Sequence, residues 1–129
     1  MKKIELQTHD DNKVLKLTIL EMYGNSSCRC RLEVFSNGFG CDKEVYFDKL
    51  IDFIEALESM NQSLNGTAKL QEDYNDHYLK FTLNKVGQLT VEGQILEYSE
   101  TEQNLEFMFL TDQTCLVPLI EELKTINES

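Results

Sequence analysis

Apolar residues recur at every second position through most of this chain, and one long run with helical spacing interrupts them. Period two sends side chains to opposite faces of a strand, so each run commits one face to a core and the other to water. Leu15, Leu17 and Ile19 alternate with Lys16 and Thr18. Cys28, Cys30, Leu32 and Val34 alternate with Arg29, Arg31 and Glu33. Leu79, Phe81 and Leu83 alternate with Lys80 and Thr82. The pattern predicts seven strands, over residues 3–8, 14–23, 28–35, 67–71, 77–84, 88–98 and 104–110. Clusters of Asp, Asn, Ser and Gly separate them, as in Gly24-Asn25-Ser26-Ser27, and such residues close turns with their own side chains or with left-handed backbone. Ser36-Asn37-Gly38-Phe39-Gly40 is read as the end of the first meander.

The interruption is a helix over residues 47–61. Phe47, Leu50, Ile51, Ile54 and Leu57 form its apolar stripe, and Asp48, Asp52, Glu55 and Ser59 lie opposite. At 100° per residue those four fall within about 60° of one another. A shorter helix is expected over residues 115–126, with Leu116, Leu119, Ile120 and Leu123 on one side. Pro118 is tolerated only in a first turn, so this helix starts near it, capped by Asp112 or Thr114. Strands joined by short turns pair antiparallel, and a helix with one apolar side packs on a sheet. The expected fold is α+β, with about seven antiparallel strands in a curved sheet or partial barrel and two helices packed on it. Residues 1–129 are expected to form a single domain, without linker or repeat.

Twelve basic against 23 acidic residues give a net charge of −11, with 41% apolar and 27% charged side chains. That surplus argues against nucleic-acid binding, because phosphate contacts need Lys and Arg. No apolar run suits a signal sequence or a membrane span, so a cytoplasmic location with reduced thiols is expected and no membrane partner.

Cys28, Cys30, Cys41 and Cys115 could in principle bind zinc. Structural zinc ligands usually come as Cys-x2–4-Cys, however, and only one residue separates Cys28 from Cys30. Strand alternation explains them as buried core thiols. His9 and His77 both fall in polar turns and read as solvated. Cys115 opens a helix but has no identifiable base to activate it. Glu72, Asp73 and Asp76 crowd one turn, and Glu97, Glu100, Glu102 and Glu106 another region, without the spacing of a calcium loop. No phosphate loop, dinucleotide motif, nucleophile elbow or zinc-protease motif is present. No catalytic residue, cofactor site or metal site is expected.

From Tyr46 onward the chain resembles a bacterial family of immunity proteins, the WapI family, which inhibit wall-associated polymorphic toxins. The resemblance is carried by Phe47-Asp48-Lys49-Leu50-Ile51-Asp52-Phe53-Ile54-Glu55-Ala56-Leu57, Gly66-Thr67-Ala68-Lys69-Leu70, Leu79-Lys80-Phe81-Thr82-Leu83 and Gly87-Gln88-Leu89-Thr90-Val91. Leu105-Glu106-Phe107-Met108-Phe109-Leu110, followed by Asp112-Gln113-Thr114 before the last helix, completes it. The match covers roughly the last two-thirds of the chain, and its motifs speak more to scaffold than to function.

The resemblance implies a non-catalytic protein that binds a cognate toxin and blocks it. Such toxins often attack nucleic acid, and nuclease domains tend to be basic, which an acidic inhibitor complements. The candidate partner-binding residues are Asp48, Asp52 and Glu55 on the helix, and Glu72, Asp73 and Asp76 in the turn. Tyr74 is the candidate aromatic anchor. A monomer or weak homodimer is expected. The rival readings are a structural or assembly module of a cytosolic complex without a toxin partner, and a small enzyme using Cys115 or His77.

Overall fold

The computed structural model describes residues 2–8, 10–24, 26–72, 77–97 and 103–126. The chain runs β1 (Lys2–Glu5), β2 (Lys13–Tyr23), β3 (Ser27–Ser36), β4 (Phe39–Phe47), α1 (Leu50–Ser63), β5 (Gly66–Gln71), β6 (Tyr78–Leu83), β7 (Gln88–Glu97), β8 (Gln103–Asp112) and α2 (Leu116–Lys124). A 3-10 turn, Gln113–Cys115, leads into α2. The α+β class and both helices are as expected. The strands number eight rather than seven, and they form two four-stranded antiparallel sheets, β1-β2-β3-β4 and β5-β6-β7-β8, rather than one. Among the described residues the two sheets do not close into a barrel.

The additional strand is β4, and its cause is local. Asn37 and Gly38 have φ of 52° and 96°, and Ser36 pairs with Phe39 across them. Two left-handed residues make a tight turn whose twist matches the flanking strands, so the chain doubles back instead of ending its meander. Only Val45 and Phe47 of β4 are fully buried. Asp42, Lys43 and Glu44 interrupt its apolar alternation, because β4 is an edge strand with few core positions.

The first helix begins at Leu50, not near residue 47. Phe47 still belongs to β4, Asp48 forms an isolated bridge to Gln71, and Lys49 is left-handed with φ of 57°. No side chain of its own caps α1. The β2–β3 turn does so: Leu50 N–H donates to Ser26 O at 2.7 Å and Ile51 N–H to Ser26 Oγ at 3.4 Å. At the other end Leu64 is also left-handed, and its N–H returns to Met60 O. The second helix starts two residues before Pro118, where a missing N–H costs nothing. Asp112 caps the turn before it, its Oδ1 accepting from Thr114 N–H at 2.9 Å.

Both sheets and both helices feed one apolar cluster that includes Leu17, Leu32, Phe53, Phe81, Val91 and Leu119. Where the layers meet, the remaining void is only about 10 Å³, lined among others by Leu6, Leu15, Phe53, Phe81 and Leu119. Phe53 meets Phe81 edge-on, with centroids 5.7 Å apart. Cys28, Cys30 and Cys115 are buried and Cys41 is half-buried. The Cys115 thiol donates to Gln7 O at 3.1 Å and so ties the start of α2 to the chain after β1. Glu5 N–H donates to Glu122 Oε2 at 3.2 Å, and Lys124 pairs with Glu58 at 2.8 Å across the two helices.

Two substitutions test this packing by urea denaturation. A lysine in left-handed backbone costs about 1 kcal/mol, which glycine does not pay. Lys49→Gly is therefore expected to stabilise the fold by about that amount, and a loss of stability would show that Lys49 is unstrained. A Cβ at Gly93 would lie 2.6 Å from Phe107 Cε1 and 2.7 Å from Tyr78 O. Gly93→Ala is expected to destabilise by about 1–3 kcal/mol, as overpacking does.

Candidate functional site

Helix α1 and β5 are joined by two residues and run in opposite directions, so the end of β5 returns to the level of the first turn of α1. Asp48 N–H donates to Gln71 O at 2.9 Å there. This brings Asp48, Asp52 and Glu72 to the same end of the α1–β5 pair. The sequence placed Asp48 on the acidic helix stripe, but it lies outside the helix. It is half-buried, and its Oδ1 accepts from Ser27 Oγ at 3.0 Å. Asp48 is thus part of the framework that joins the sheets.

Asp52 and Glu55 are exposed on the first turns of α1. Among the described residues neither has a hydrogen bond or an ion pair. Side chains three apart on a helix are neighbours, and like charges there cost a few tenths of a kcal/mol. Asp52 recovers part of that from the helix dipole, but Glu55 gains less because the dipole effect fades after the first turn. The pair is therefore not explained by helix stability. The next acid, Glu58, is neutralised by Lys124. Glu72 is half-buried just beyond β5. Asp73, Tyr74 and Asp76, the remainder of the predicted surface, lie outside the described residues, as do His9, Glu100 and Glu102.

A second charged surface covers the outer face of β2, β3 and β4, and the sequence showed only half of it. Arg29 and Arg31 point outward from β3 as their alternation requires. Arg29 pairs with Glu44 at 2.8 Å and with Glu21 at 3.5 Å. Arg31 Nε donates to Asp42 Oδ1 at 2.6 Å, its Nη2 contacts the other Asp42 oxygen, and Glu33 stands 4.0 Å away. Each guanidinium therefore serves two carboxylates, and Lys16 on β2 stands opposite Glu33, so this face keeps a surplus of one negative charge. Tyr23 and Tyr46 stack beside the ladder, with centroids 6.3 Å apart. They are 43% and 45% exposed, and Phe39, at the start of β4, is 72% exposed. Asp42, Glu44 and Tyr46 escaped the sequence reading because β4 did; the Asn37-Gly38 pair was the signal that could have found them.

Other candidates for chemistry resolve into scaffold. His77 is not a solvated turn residue: it is 6% exposed and its Nδ1 accepts from Leu96 N–H at 3.1 Å. A hydrogen bond with Cys28, together with burial, pushes the Cys30 thiol up, so it stays protonated. The Cys115 thiol is buried and engaged by Gln7 and Thr111. Among the described residues no cluster of three or more His, Cys, Asp or Glu could hold a metal ion. No helix among them is long and apolar enough to cross a membrane.

The Arg31 guanidinium beside Asp42 holds that carboxyl below the usual carboxylate range. The pairing is therefore complete above the ordinary carboxylate range and is lost as pH falls through the lowered value. In Arg31→Gln, Asp42 is expected to titrate upward, near the ordinary value of about 3.9. NMR titration of its carboxyl carbon reads this directly, and an unchanged midpoint would remove Arg31 as the cause.

Comparison with curated proteins and with solved structures finds no match. The model of the immunity protein WapI-like family matches residues 5–129. That match takes in β2, β3 and β4 as well as the region from Tyr46 onward that carries the motifs. The chain belongs to the immunity protein WapI-like family.

Proposed function

We propose that this protein neutralises a cognate bacterial toxin by binding it directly and covering its active site, with no reaction of its own. The family match across residues 5–129 carries the reading. The charge supports a basic partner: the chain has a net charge of −11, and Asp52 and Glu55 stand without described partners on α1. An inhibitor of this kind gains speed and partner choice from charge complementarity, because an acidic surface steers a basic one into contact. A nuclease is the toxin class this charge would suit best, since nuclease surfaces are built to meet phosphate.

The proposed contact is the acidic end of α1 and β5. Asp52, Glu55 and Glu72 meet the toxin there, and Asp48 shapes that end from within. Asp73, Asp76 and Tyr74 continue the surface in sequence. The protein acts as a single-domain monomer or weak homodimer in the cytoplasm.

The test is the double variant Asp52→Lys/Glu55→Lys against the toxin domain that the immunity reading expects to be encoded beside this chain's gene. Neither residue supports the core, so the melting temperature is expected to stay within a few degrees. Affinity is expected to fall about ten- to a hundredfold, mainly through slower association. Unchanged affinity would remove this end of α1 from the interface. Failure of the unmodified chain to bind or protect against that toxin would overturn the function itself.

A further inference from the structure

The free edge of the first sheet carries the inference. In an antiparallel ladder, residues alternate between bonding their partner strand and pointing their N–H and C=O away from it. Counted from the Ser36–Phe39 pair that closes the Asn37-Gly38 turn, Cys41, Lys43 and Val45 bond β3. Gly40, Asp42, Glu44 and Tyr46 then face outward. Asp48 continues that series, and its N–H indeed leaves β3 and donates to Gln71 O. From Gly40 to Tyr46 no described residue takes up these outward groups. The strand holds no proline, which would block pairing, and its register with β3 runs without a bulge. Edges left in this state are templates for another strand.

The surroundings say what kind of strand. Asp42, Glu44 and Tyr46 project on the outer face, where the arginine ladder leaves its carboxylate surplus. Beside the edge, between β4 and the ends of β7 and β8, lies a cleft of about 310 Å³, lined by Cys41, Leu96 and Asn104 among others, in which Lys43 of β4 pairs with Glu97 of β7. A strand laid along β4 would send alternate side chains onto the carboxylates and into this cleft. A second copy of this chain fits poorly. In a two-fold antiparallel pairing centred on Lys43, Asp42 of one copy meets Glu44 of the other, and like charges directly opposite are destabilising.

We propose that the outward edge of β4, Gly40 to Tyr46, receives an extended basic segment of the toxin as an added strand. Basic residues of one parity face Asp42 and Glu44, and uncharged residues of the other parity enter the cleft. The edge offers roughly 20 Å of strand at 3.3 Å per residue. Main-chain hydrogen bonds supply adhesion in such an arrangement, and the alternate side chains supply selectivity. The proposal rests on the immunity reading and specifies how the toxin is held. It adds an edge contact that ends at Asp48, next to the acidic end of α1.

Amide hydrogen exchange by NMR tests it on the intact chain. The probe is the same expected toxin domain, inactivated in its own active site and present at 100 times its Kd. At that excess, exchange that needs the free chain slows about 100-fold. The slowing is expected at Gly40, Asp42, Glu44 and Tyr46. Cys41, Lys43 and Val45 are the reference: β3 already protects them in the free chain, whereas the four edge amides exchange openly until the toxin covers them. Binding without slowing at those four amides would overturn the added strand and leave the immunity function standing. Slowing at the same four amides in the concentrated chain alone would also overturn it, since a second copy would then occupy the edge. No binding at all would overturn both readings.

Discussion

The structure turns on Asp48. Its N–H reaches Gln71 O, its carboxylate takes the Ser27 hydroxyl, and Ser26 next to that serine caps the first turn of α1. Three elements distant in sequence meet here: the β2–β3 turn, the exit of β4 and the end of β5. Each such hydrogen bond contributes only about 0.5–1.5 kcal/mol net. Their effect is geometric, because they fix how the second four strands are set against the first. Lys49 adopts its left-handed conformation at this point so that a strand already bonded to Gln71 can turn at once into a helix. Elsewhere the sheets are also tied by Lys13 Nζ donating to Leu110 O at 2.7 Å, by Ser36 Oγ donating to Met108 O at 3.4 Å and by the Lys43–Glu97 pair.

The charges are distributed unevenly over this framework. On the outer face of β2 to β4, carboxylates gather around Arg29 and Arg31, and the Asp42 carboxyl is held low by its guanidinium. On α1, Asp52 and Glu55 have no described counterion. Exposed ion pairs contribute little stability, so the arginine ladder serves chiefly to order its side chains. Ordered side chains on a packed body lose little freedom when a partner arrives, which is how a small inhibitor keeps affinity high.

Elements whose cause is local were legible in the sequence. The alternation of Leu15, Leu17 and Ile19, or of Leu79, Phe81 and Leu83, needs only a strand and a core. The position of Pro118 and the capping by Asp112 follow from backbone chemistry within a few residues. What escaped depends on distant partners. Asp48 looks like a helix residue until Ser27 and Gln71 are beside it. His77 looks solvated until Leu96 covers it. The β4 strand is an intermediate case: its edge position hid its hydrophobic pattern, while Asn37-Gly38 announced the turn. The acidic stripe was half legible, with Asp52 and Glu55 as expected and Asp48 reassigned.

If Asp52 and Glu55 dock a basic partner, exposed charge holds the complex together, and salt weakens it. The most direct measurement is the dissociation constant of the complex across a salt series. Screening shortens the reach of exposed charges from about 30 Å at 0.01 M salt to about 8 Å at 0.15 M. Binding is expected to weaken steadily over that range, with the loss concentrated in the association rate. A dissociation constant indifferent to salt would contradict that docking.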